Sequence, residues 1–152
     1  MEQFFEDYLQ ALQTLSRDFQ AAIAGLPVEA LDWVPGTEMN SLCALVVHTT
    51  AAARFWIGDV ALGEDSRRDR DAEFKARGMS AVDLAARFAA LEDYARAALP
   101  RITLADLSAQ RPVPNRSMTT TAGWAILHAL EHTSLHLGHA QIMRQLWDQN
   151  LT

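Results

Sequence analysis

Apolar side chains recur at intervals of three and four residues through most of this chain, and no run alternates with a period of two for the length of a strand. That spacing matches an α-helix of about 3.6 residues per turn, whose one face it covers. Phe5, Tyr8, Leu12, Leu15, Phe19 and Ile23 predict a first helix over 2–24, ended by Gly25 and Pro27. A second, over 41–62, is apolar around most of its circumference, which predicts the most buried position. Asn40 or Ser41 is placed to cap its start, and Gly63 closes it. Ser80 and Asp83 form a near capping box for a third helix, striped by Leu84, Phe88, Leu91, Ala95 and Ala98 and stopped at Pro100. The fourth runs over 121–148 behind the N-cap candidates Thr119, Thr120 and Thr121. The apolar residues around Val113 are too few and too flanked by proline to predict a strand.

Four amphipathic helices in one chain of 152 residues predict a single all-α domain over 1–152, a four-helix bundle. Its connectors between helices 1–2 and 3–4 exceed what simple up-down packing needs, so they are expected to roof one end. The segment EDSRRDRDAEFKARGMS is charged and mixed in sign, and reads as a solvated loop with at most a short helical piece.

Composition excludes several classes. A formal charge of −6, with no basic patch interleaved with aromatics, argues against nucleic-acid binding. No apolar run approaches the roughly eighteen residues of a membrane span. The acidic, amphipathic N-terminus lacks the pattern of a signal peptide. One cysteine, Cys43, permits neither an internal disulfide nor a cysteine-rich zinc site, and it fits a reducing compartment. The expected location is the cytoplasm.

Four of the five histidines fall within twelve residues, in HALEHTSLHLGHAQIMRQLW. Steps of four residues advance about 40° around a helix, so His128, His132 and His136 share a face. Imidazoles at i and i+4 present two nitrogens to one metal ion. The spacing permits His128 with His132 or His132 with His136, and His139 is a third ligand or a partner of one. A metal site needs at least three protein ligands, and bundle cores build them from facing helices. His48, on the apolar stripe of the second helix, is the remaining imidazole. Ligating imidazoles usually donate their other N–H to a fixed acceptor; Glu131, Thr133, Gln141 and connector backbone are the candidates.

The pattern H-x3-H-x-G-H-x-Q-x-x-R, formed by His132, His136, Gly138, His139, Gln141 and Arg144, resembles the last-helix signature of the DinB/YfiT-like superfamily. The earlier SLCALVVHTTAAARFW, with its lone histidine after a Trp33-Val34-Pro35-Gly36 connector, resembles the other half of that signature. The likeness runs in order from about residue 4 to 148. It implies a DinB-like bundle in which His48, His132 and His136 hold a divalent metal, zinc or nickel. Some relatives that use mycothiol or bacillithiol carry H-x-x-E-E-x-x-x-H-x-G-H. His128 and Glu131 have counterparts there, whereas His132 stands where some of those relatives have glutamate. The resemblance also implies a homodimer.

An open position on such an ion serves two chemistries. It stabilises a bound low-molecular-weight thiol as thiolate, for transfer to a small electrophilic substrate. Alternatively it activates water for hydrolysis, which needs a base within reach. Glu131 lies about 100° around the helix from His132, off the ligand face, so thiol transfer is the favoured reading. A metal-dependent hydrolase and a non-catalytic, dimeric metal- or ligand-binding bundle are the alternatives. Trp124, one turn before His128, is placed to line a pocket. Arg144, two turns beyond His136, is placed to meet an anionic substrate. Cys43 is about 140° from His48 and reads as a small core residue.

Overall fold

The computed structural model describes residues 1–150; the last two positions of the predicted 1–152 domain lie outside the described residues. Four long helices form the body: α1 (Gln3–Ile23), α3 (Leu42–Arg54), α5 (Ala81–Ala98) and α6 (Ala122–Asn150). Two single-turn helices, α2 (Val28–Leu31) and α4 (Arg70–Glu73), sit in the first two connectors. Each long helix packs on two others, in the cyclic order α1, α5, α3, α6. Hence α3 faces α6 on one side and α5 on the other, which creates the two clefts described below.

The helix ends follow the local chemistry of the sequence. Ser41 caps α3 by accepting from the Ala44 N–H. Ser80 and Asp83 close a reciprocal capping box at α5. Thr121 Oγ1 accepts from the Trp124 N–H at the start of α6. The second helix is modified midway: after Arg54 it widens into a π-helix over Phe55–Leu62, and Gly63 ends it with φ of 72°. Within that wide segment, a side chain at Gly58 would collide with the Arg54 guanidinium and the Tyr94 hydroxyl. Arg54 lies across the backbone there to reach Asp59, so a larger residue would displace its guanidinium.

Two apolar clusters fill the bundle. One joins Phe5, Leu12, Ile57 and Ile126. The other joins Phe19, Val46, Phe88 and Met143. Fully burying each such side chain contributes about 1.5–3 kcal/mol. His48 on α3 and His132 and His136 on α6 fall where one cluster gives way to the other, between Val47 and Ala53 and between Ala129 and Leu137.

Two expectations need correction. A short antiparallel ribbon pairs β1 (Gln110–Pro112) with β2 (Thr119–Thr121). Proline is tolerated at its end because the ribbon is all edge. The charged segment after Gly63 is not simply a solvated loop: Arg68 and Glu73 fold inward from it, and Glu73 is buried among the described residues. No helix among the described residues is long and apolar enough to cross a membrane.

Candidate metal centre

His48 of α3 faces His132 and His136 of α6. His48 Nε2 lies 3.2 Å from His132 Nε2, and His136 Nε2 lies 3.2 Å from the same atom. All three ligand atoms fall within 4.8 Å of one another. Of the two pairings that the spacing left open, the one that meets His48 is His132 with His136.

Protonation decides what this convergence means. His48 Nδ1 lies 2.8 Å from Glu73 Oε2. Burial alone would raise the Glu73 pKa, but hydrogen bonds from Arg68 and His48 outweigh it and hold the carboxyl below the usual range. An ionised Glu73 accepts only, so a neutral His48 ring carries its N–H on Nδ1 and its lone pair on Nε2. Burial, reinforced by the facing imidazoles, pushes His132 down to about 3 and His136 down to about 4. Both of these rings are therefore neutral at pH 7. One N–H on His132 Nε2 can point at only one neighbour, which leaves the other contact without a hydrogen bond. His132 Nδ1 is buried without a partner among the described residues.

A cation at the centre answers all three lone pairs. Tetrahedral ligation with nitrogens about 2.0–2.1 Å from zinc separates them by about 3.3 Å, close to the two 3.2 Å contacts. The donor set fits, and the trio can hold a divalent metal ion.

The remaining predicted residues take distinct places. His139 Nδ1 meets the outer nitrogen of His136 at 3.3 Å, away from the shared centre. The ring of His128 sits 5.7 Å from that of His132, and its Nδ1 pairs with Glu131 at 2.8 Å. Trp124, 44% exposed, stacks on His128 with ring centroids 4.6 Å apart. Buried Trp56 packs edge-on against both. Arg144 is not brought to the histidines. Its Nε pairs with Asp148 and its Nη1 donates to the carbonyls of Ala22 and Ala24, fastening the C-terminus of α1. Cys43 is buried, as expected, and burial pushes its thiol up.

Sequence reasoning missed Glu73 and Arg68. None of the proposed acceptors serves His48; the Thr133 hydroxyl, for one, donates to the Ala129 carbonyl at 2.7 Å. Glu73 does so, held by Arg68 Nε at 2.6 Å and Nη2 at 2.8 Å. Phe74 stacks on the His48 ring at 4.4 Å. The one available signal was a bulky Phe74 in an otherwise polar segment.

A cleft of about 320 Å³ opens beside the trio, lined by His136, His139, Met39, Asn40, Ile142 and Met143 among others. The first connector thus contributes a wall of this cleft, through Met39 and Asn40.

A ring of four helices with three histidines converging from α3 and α6 defines a DinB-like bundle. Known structures agree in fold. A conserved protein from Enterococcus faecalis superposes with a TM-score of 0.76 at 17% identity, over 96% of this chain and 98% of that one. A DinB-like protein from Bacillus cereus superposes with a TM-score of 0.74 at 15% identity, over 94% and 92%. Comparison with curated proteins gives no match. Residues 7–149 match the family model of mycothiol-S-transferase, and the chain belongs to that family.

Proposed function

We propose that the protein transfers a low-molecular-weight thiol, mycothiol in the first instance, to a small electrophile at a His48, His132, His136 metal centre. The observation that carries this reading is the convergence of three imidazole nitrogens, two contacts at 3.2 Å, beside an open cleft. The family match supplies the thiol class.

A divalent ion held there, zinc or nickel, supplies the positive charge that favours a thiolate over a thiol at neutral pH. The protein's own groups do the rest. Glu73 fixes the His48 tautomer and turns its Nε2 to the centre, and Arg68 keeps Glu73 ionised. His139 engages the outer nitrogen of His136. Met39, Ile142 and Met143 offer an apolar wall to the electrophile. Trp124 and His128 form a flat platform on the other flank. The thiol sulfur bonds to the electrophilic carbon, the leaving group departs with the bonding pair, and the thiol proton passes to solvent.

Hydrolysis is the weaker reading because it lacks a placed base. Glu73 faces the back of His48, and Glu131, 71% exposed, is engaged by His128. The same proposal includes a homodimer, with Leu127 and Leu135, each more than half exposed, as available surface. It also includes a cytoplasmic setting, where such thiols stay reduced.

The test incubates metal-loaded protein with an epoxide or alkyl halide and mycothiol, bacillithiol or glutathione, following thiol loss and adduct formation. Adduct with mycothiol, abolished by His132→Ala, is expected. No thiol consumption, beside cleavage of esters or amides, would overturn the reading in favour of hydrolysis.

A further inference from the structure

On the opposite side of α3, facing α5, lies a second cleft of about 580 Å³. Small-molecule sites run about 300–1,000 Å³. Val47, Thr50, Ala51 and Arg54 on α3 oppose Arg87, Ala90, Leu91 and Tyr94 on α5, and the 66–73 segment crosses above. Each helix contributes residues at steps of three and four, a continuous face. No histidine lines this cleft.

Three arginines line it, and their pairing differs. Arg54 pairs with Asp59 at 3.3 Å and Glu64 at 2.8 Å. Arg68 is held by Glu73. Arg87 has no ion-pair partner among the described residues. Its Nε donates to Thr50 Oγ1 at 3.3 Å, and its two terminal nitrogens make no hydrogen bond to the described residues. Thr50 Oγ1 in turn donates to the Val46 carbonyl at 2.9 Å, which points a lone pair at Arg87 and fixes the guanidinium. A half-buried, oriented cation with free N–H donors thus faces a cavity that also presents an apolar strip of Val47, Ala51, Ala90 and Leu91.

We infer that this cleft binds a small organic monoanion: a carboxylate seated on Arg87, with an apolar body against Val47, Ala51, Ala90 and Leu91. The guanidinium fork matches a carboxylate in geometry. One unpaired positive charge calls for one negative charge. Polyanions such as nucleotides are disfavoured, because Asp69 and Glu73 line the same cleft and Asp59 and Glu64 stand close behind. The cleft meets the metal centre through Glu73 and Arg68, which line it and reach His48, whereas Arg87 hydrogen-bonds to Thr50 instead. The inference therefore stands independently of the proposed transfer reaction.

Calorimetric titration of the full-length protein with benzoate and hexanoate, beside benzamide and hexanamide, tests it. The carboxylates are expected to bind at a single class of site and to raise the melting temperature. The amides and the Arg87→Gln variant are expected to lose about tenfold to a hundredfold in affinity, the effect of a charged hydrogen bond. Metal content should not change in that variant. Ala90→Phe, which keeps Arg87 but fills the apolar half, should also block binding. Three results would overturn the inference: equal binding of carboxylates and amides, no saturable binding of any probe, or binding that survives Arg87→Gln and disappears with His132→Ala.

Discussion

The Glu73 carboxylate and the His48 imidazole meet at 2.8 Å although 25 residues separate them, one on a single-turn helix in a charged connector and the other deep in α3. This contact sets which nitrogen of His48 faces the other histidines. Orienting partners of this kind are worth about tenfold to a hundredfold in metal affinity. Glu73→Ala is therefore expected to weaken zinc binding by about that factor, with the smaller loss in Glu73→Gln, which still accepts from Nδ1. Competition with a fluorescent chelator measures it. Unchanged affinity in Glu73→Ala would show that the carboxylate only seals the connector.

Acid should destabilise the metal-free protein from an unusually high pH. His132 and His136 titrate near 6.5 in the unfolded chain but are held down to about 3 and about 4 in the fold. Between those values the unfolded state binds more protons, so stability falls as pH falls from about 6.5 to about 3. Glu73, also lowered, adds a loss below the ordinary carboxylate range. Urea midpoints of the metal-free protein across this window should drop, and should drop less steeply in the His132→Ala, His136→Ala double variant. Parallel slopes in the two proteins would contradict the assignment.

Stability should depend on the core far more than on the caps. Phe88 is fully buried, and Phe88→Ala is expected to cost about 3–5 kcal/mol. Ser41→Ala removes the cap of the helix that carries His48 and should cost about 1 kcal/mol. Denaturant unfolding of the metal-free forms gives both values. Saturating metal should raise the midpoint of the Ser41→Ala variant again by mass action.

The sequence carried the bundle because helix periodicity is local: the stripe from Phe5 to Ile23 and the Ser80–Asp83 box need no tertiary information. The α6 part of the histidine trio was legible for the same reason, since spacing allows His132 with His136 as one of two pairings. His48 was legible only through its place on an apolar stripe and the family likeness. Glu73 and Arg68 were not, since nothing in a mixed-charge run distinguishes a carboxylate that turns inward from one that stays wet. Arg144 shows the reverse. Its helical register was read correctly, but the carbonyls that hold it belong to the end of α1, a neighbour that only packing reveals.

The central claim is that one ion sits among His48, His132 and His136. Elemental analysis of protein purified without a metal-affinity column tests it directly, in the parent and in the three single alanine variants. About one equivalent of zinc or nickel is expected in the parent, as a three-imidazole site requires, and loss of it in each variant, His48→Ala included. Less than about half an equivalent in the parent, or full metal retention in His48→Ala, would contradict it.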